Sequence, residues 1–132
     1  MDRSVTHATF SLERDYPVPV AKVFAAWADP AAKAQWFAGG PDGGPVMTFE
    51  SSYHDVVPGE RIVYSSTMAA GEDLMTISVT TVEFTSAGEG TRLLLTEQGT
   101  YLDGREEPAW REHGTAEQLD ALGRELGNQA AG

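Results

Sequence analysis

Residues 20–36 read VAKVFAAWADPAAKAQW, and this stretch decides the class of fold. Val20, Val23, Phe24 and Trp27 fall at i, i+3, i+4 and i+7, which gives a short helix one large apolar face. Pro19 suits a first helical position, where its missing N–H costs nothing. Asp29 can cap a second helix that starts at Pro30 and carries Trp36 near its end. The stretch reads as the helical opening of an α+β fold that encloses a cavity.

Working outward, the flanking segments alternate as strands do. Val5 to Glu13 is a first strand, with Phe10 and Leu12 choosing its buried side. From Val46 to Val57, the residues Met47, Phe49, Ser51 and Tyr53 share a face, and Pro58-Gly59 then turns the chain. Arg61 to Met68 places Ile62, Tyr64, Ser66 and Met68 together. Leu74 to Phe84 begins with Met75, Ile77 and Val79 on one face and ends with Val82 and Phe84 on the other, so it holds a bulge or buries both faces. Gly88-Glu89-Gly90 leads into Thr91 to Leu102. Three successive hairpin turns predict a meandering antiparallel sheet. A closing helix runs from Pro108 to Leu126, with Leu119, Leu122 and Leu126 as its apolar stripe and Arg111 among the residues available to solvent. Gly114 and Gly123 within it mark close contacts, a bend or an opening, and Gly127-Asn128 supplies a C-cap.

Composition narrows the function. The 132 residues, 41% of them hydrophobic, support one domain with one substantial core. A formal charge of -11 repels phosphate backbones and anionic membrane surfaces, so neither nucleic acid nor a membrane is an expected partner. Residues 83–125 hold ten acids and four arginines, a solvated acidic face. Absence of cysteine removes disulfides, thiol catalysis and thiolate metal sites. No apolar leader or span is read in the sequence, and the expected location is the cytoplasm.

Four pieces, VAKVFAAWADPAAKAQWF, FESSYHDVVPGERIVYSSTM, TISVTTVEF with GTRLLLTEQGTYLDG, and the closing helix, cover nearly the whole chain. Together they resemble the SRPBCC or START-like superfamily, and within it the family of the C-terminal domain of activators of the heat-shock chaperone ATPase. The resemblance implies a helix-grip fold: a curved antiparallel sheet around the long C-terminal helix, with two short helices after the first strand. Residues 1–132 would then form a single START-like ligand-binding domain. One departure stands out. The family usually carries a loop and a strand containing Arg-x-Gly-Gly before the strand at Val46, and these are missing between residues 37 and 46, where a Gly- and Pro-rich run occurs instead. Either the strand has been deleted or residues are absent from the chain at that point.

A container with no complete catalytic set predicts binding of an apolar or amphipathic small molecule. The expected lining is Phe24, Trp27, Trp36, Phe49, Tyr53, Tyr64, Met75, Ile77, Leu95, Glu97 and Trp110. Strand phase from Leu93 and Leu95 turns Glu97 inward, where a carboxylate could anchor a ligand or act as general acid or base; a partner arginine is the structural alternative. Glu97 and His54 are the catalytic candidates for a cyclase, dehydratase or hydrolase reading, and a chaperone-binding role is the third alternative. His7, His54 and His113 lack metal-ligand spacing, so no metal is expected, and no cofactor is expected either. A homodimer is a further expectation, since related folds often pair and Trp110 lies close enough to the helix start to be exposed.

Overall fold

Side-chain alternation builds five strands, which the structure, a computed structural model described for residues 3–29, 33 and 47–131, joins in one sheet. They are β1 (Val5–Tyr16), β2 (Met47–Val57), β3 (Arg61–Ala70), β4 (Asp73–Ala87) and β5 (Gly90–Leu102). All neighbours are antiparallel, in the order β1-β5-β4-β3-β2. The meander from β2 to β5 turns at Gly59, Gly71 and Gly88, each at positive φ, a region open to glycine because it has no Cβ. Helix α1 (Val20–Ala28) follows β1, and α2 (Pro108–Ala131) closes the chain. The chain thus has an α+β helix-grip architecture, with the long helix held against a curved sheet. No described helix is long and apolar enough to cross a membrane.

The core occupies one end of the concave face. Leu119, Leu122 and Leu126 of α2 meet Phe10, Leu93, Leu95, Val82, Phe84 and Ile62 of the sheet, with Val23, Ala26 and Trp27 of α1 sealing that end. Tyr16 pins the layers together. Its hydroxyl donates to the Leu119 carbonyl oxygen at 2.8 Å, and burial pushes its pKa up. Gly123 lets the helix approach that ring, since a Cβ there would lie 3.3 Å from Tyr16 Cε1. Gly123 is therefore a close-packing glycine.

Several expectations need correction. Val20 opens α1 with Pro19 at its N-cap, where the Pro19 carbonyl accepts from Lys22 and Val23 N–H groups. Strand β1 continues past Glu13 to Tyr16, and α2 continues past Gly127 and Asn128 to Ala131, so those two residues do not end it. Arg111 is buried at 9% exposure instead of facing solvent, because it stands eight residues before Leu119 and shares its helix face. Trp110, one position off that phase, is 66% exposed. The bulge in β4 falls at its start: Met68 pairs with Thr76 and Ala69 with Leu74, leaving Met75 as the extra residue. Beyond it Thr76, Ser78, Thr80, Val82 and Phe84 face inward, while Ile77 and Val79 are each 41% exposed on the convex side. The second helix, Trp36 and residues 37–46 lie outside the described residues; Lys33 is helical, and its N–H donates to the Asp29 carbonyl at 2.8 Å.

The tightest constraint is at Gly90, where a Cβ would lie 2.3 Å from the Tyr16 carbonyl oxygen. Backbone on both sides leaves little room to adjust, so Gly90→Ala should destabilise the fold by about 1–3 kcal/mol or more. A urea melt checks this, with an unchanged midpoint as the contrary result.

Candidate functional site

A row of small side chains crosses the concave floor. Ala8, Gly99, Ser78, Ser66 and Ser51 are successive cross-strand partners, one from each strand. Five strands spaced about 4.8 Å apart make this trough about 19 Å long. Larger residues bank it: Phe10, Glu97, Thr80, Tyr64 and Tyr53 on one side, and Tyr101, Thr76, Met68 and Phe49 on the other. On α2, Gly114 lies one turn from Arg111 on the same side of the helix. A Cβ at Gly114 would meet nothing within 4 Å among the described residues.

Arg111 reaches down from α2 into this floor. Its Nε donates to Glu97 Oε2 at 2.5 Å, Nη1 to Glu106 Oε1 at 3.3 Å, and Nη2 to Ser78 Oγ at 3.0 Å. Thr80 donates to Glu97 Oε1 at 3.2 Å and Thr76 to Glu106 Oε1 at 2.5 Å. Thus every inward hydroxyl of β4 serves the cluster, which explains why the strand turns its Thr/Ser face inward and its Ile/Val face outward. The guanidinium and its two carboxylates are nearly buried, with side-chain exposures of 8%, 7% and 12%. Burial pulls the Arg111 pKa down, but Glu97 and Glu106 more than reverse this, so it stands above its ordinary value. One positive charge against two negative ones leaves the cluster at net -1.

Aromatic hydroxyls surround the cluster. Burial, reinforced by Glu97, pushes the Tyr101 pKa up to about 12, and the same two causes raise that of Tyr64. Both phenols therefore remain protonated donors at neutral pH. Tyr101 folds over Gly99, where a Cβ would meet its ring at 2.8 Å. Phe49 places its ring 5.9 Å from Arg111 Cζ at the open edge of the sheet.

The expected lining divides by location. Glu97, Tyr64, Phe49 and Tyr53 line or rim the concave face, and Tyr53 stacks on Tyr64 at 5.3 Å. Phe24, Trp27 and Leu95 belong to the apolar core; Phe24 meets Phe84 edge to face at 5.4 Å. Met75 is buried at the bulge. Ile77 and Trp110 are not lining residues, for the strand and helix phases already given. Trp36 is outside the described residues. His54 sits at the β2 bulge and is exposed, with Nε2 2.7 Å from Ser65 Oγ, away from Glu97. The apolar surroundings assumed for Glu97 as a general acid are absent, since Arg111 and Thr80 hold it. Among the described residues no three His, Cys, Asp or Glu side chains converge to hold a metal. Arg111, Glu106, Thr76, Ser78 and Thr80 join the site without being expected there from the sequence. Their signals were the helical phase of Arg111 with the leucines and the unbroken even-numbered alternation from Thr76 to Phe84.

Residues 17–127 match the family described as activator of Hsp90 ATPase homolog 1-like protein, and the chain belongs to that family. This places it in the SRPBCC/START-like superfamily, whose general role is small-molecule binding. The crystal structure of the Mll3558 protein from Rhizobium loti is 39% identical, with a TM-score of 0.86 over 92% of this chain and 99% of that one. An uncharacterised protein from Rhizobium leguminosarum is 36% identical, with a TM-score of 0.88 over 97% and 99% of the two chains. CalU16 from Micromonospora echinospora shares the fold at 19% identity and a TM-score of 0.67, over 98% of this chain and 88% of that one. No curated protein matches the sequence.

Adjacent residues of α2 offer a direct test of the cluster. Arg111→Ala strands two buried carboxylates and should cost about 3–5 kcal/mol. Trp110→Ala, at an exposed site, should stay within about 0.5 kcal/mol. Urea unfolding of the two variants checks the contrast; equal effects would contradict the burial of the ion pair.

Proposed function

We propose that this family member binds an apolar or amphipathic small molecule between the concave floor and α2. The observation that supports this most directly is the row of small residues across the floor, beside polar groups that are already satisfied, with unfilled space at Gly114 one turn along the helix that Arg111 ties to that floor. A packed core would fill such a row with large side chains, as the apolar end of the same sheet does. Here Ser51 and Ser66 keep it low toward the β2 edge, while Tyr101 folds over Gly99 and Arg111 reaches Ser78.

The electrostatics narrow the ligand. Arg111 spends three donors on Glu97, Glu106 and Ser78, and the cluster is net negative, so a ligand carboxylate would be repelled. A neutral ligand is favoured, with a hydroxyl or N–H aimed at the carboxylates or a carbonyl accepting from Tyr64 or Tyr101. Glu97 acts as an anchor held in place by Arg111. That arrangement suits recognition better than proton transfer, because taking up a proton would break a buried ion pair.

Gly114→Leu tests the reading without weakening the helix. Leucine is the better helix former by about 1 kcal/mol, so stability should hold or rise while the space over the trough is filled. With N-phenyl-1-naphthylamine as a neutral probe, the unaltered protein should give saturable one-to-one fluorescence enhancement, and Gly114→Leu should weaken it at least tenfold. Glu97→Gln should weaken it only a fewfold. Absence of saturable binding, or equal binding by Gly114→Leu, would remove the trough as the site. Mass spectrometry of gently purified protein then identifies any retained compound.

A further inference from the structure

The concave face meets solvent along β2. Alternation turns Phe49, Ser51 and Tyr53 inward, yet Phe49 is 40% exposed, Tyr53 43% exposed, and Ser51 between them is exposed too. On β3, one strand further in, Tyr64 and Ser66 are buried, Ser66 to 3% exposure. Ser51 and Ser66 are cross-strand partners whose Oγ atoms lie 2.8 Å apart. One hydroxyl of the pair is therefore hydrated and the other is dry.

Burial decides which of them donates. The pair holds two hydroxyl protons, and one of these lies between the two oxygens. If Ser51 donated, the Ser66 proton would be buried with no acceptor among the described residues, and its lost hydration would go uncompensated. If Ser66 donates, its proton is satisfied and the Ser51 proton is left for the solvent side. The second arrangement is the stable one. An oxygen that accepts one hydrogen bond is also a better donor in the next, so the Ser51 O–H is polarised. Thr76 and Thr80 offer nothing comparable, because their protons go to Glu106 and Glu97. An aromatic residue stands two positions from Ser51 on each side, about 7 Å along the strand.

We propose that Ser51, oriented by Ser66, reads the polarity of the ligand by donating a hydrogen bond to the carbonyl oxygen of a neutral molecule whose apolar body lies along Phe49 and Tyr53. The proposal rests on the reading of the trough as a small-molecule site, and it names the group that the ligand carries: an acceptor oxygen, as in a ketone, a quinone or an ester. A hydrocarbon of the same shape would remove water from the Ser51 hydroxyl and put nothing in its place. A carboxylate would accept the same bond but meet the net negative charge of the Arg111 cluster. Ser66 is a positioning residue, acting through Ser51.

Two substitutions of equal shape separate the hydroxyl from its bulk. Ser51→Thr keeps the O–H and Ser51→Val replaces it with a methyl group, and both β-branched residues suit a strand. Binding of 2-acetylnaphthalene, and of 2-ethylnaphthalene as its counterpart without oxygen, is measured by equilibrium dialysis on the full chain. Ser51→Val should bind the ketone about fivefold more weakly than Ser51→Thr does, as expected for one neutral hydrogen bond. The two variants should bind the hydrocarbon alike. Ser66→Ala should lower the ketone-to-hydrocarbon affinity ratio by a smaller factor than Ser51→Val. Equal ketone binding by Ser51→Thr and Ser51→Val, a parallel loss of the hydrocarbon, or an unchanged ratio in Ser66→Ala overturns the proposal and leaves the trough standing as a site. Failure of both compounds to bind the unaltered protein overturns the trough reading and this one with it, so the two failures are distinguishable.

Discussion

A guanidinium placed beneath a helix must be fully paired, and much of the architecture at the polar end follows from that requirement. Removing a charge from water costs several kcal/mol unless partners replace the lost hydration. Arg111 obtains them from three separate elements: Glu97 on β5, Ser78 on β4 and Glu106 in the connection leading into α2. These contacts fix the rotation of the helix start about its axis, since turning by one residue would replace Arg111 with Trp110. They also fix the inward face of β4, whose Thr76 and Thr80 complete the carboxylates' hydrogen bonds. Tyr16 and the leucine stripe perform the corresponding task at the apolar end, through packing and one hydroxyl bond. The helix is held at both ends by different physics.

That division explains what could be read from the sequence. The leucines at 119, 122 and 126, the alternation of β1 and β5, and the glycine-bearing turns are local patterns, and each led to the right element. Phase counting from Leu93 and Leu95 also turned Glu97 inward. Sequence and structure part where apolarity alone chooses a face. On β4 the apolar Ile77 and Val79 face solvent because the inner side serves an ion pair whose members lie up to 35 residues away, between Thr76 and Arg111. Arg111 reads as a solvent residue because an isolated arginine is ordinarily exposed. Its partner acids sit on other elements, and no local window contains all of them. Only the helix phase, carried back eight residues from Leu119, could have revealed it.

Two parts of one concave surface therefore offer different chemistry. Near the start of α2, charge is buried, compensated and fixed, and the floor beside it is low and lined with hydroxyls. At the β2 edge, the Lys33 amine is surrounded by aromatic faces and one phenol. Tyr64 connects the two regions: one face stacks on Tyr53, while its charged neighbours include Glu97 and Arg111. A molecule lying along the trough would thus pass from fixed acceptors at one side to an amine and aromatic walls at the other. Polarity would orient it at the Arg111 end, and shape would select it at the Tyr53 end, because stacked rings adapt poorly to a ligand of the wrong thickness. The family's fold supplies the grip between sheet and helix, and the side chains of those two regions give the concave surface its chemistry.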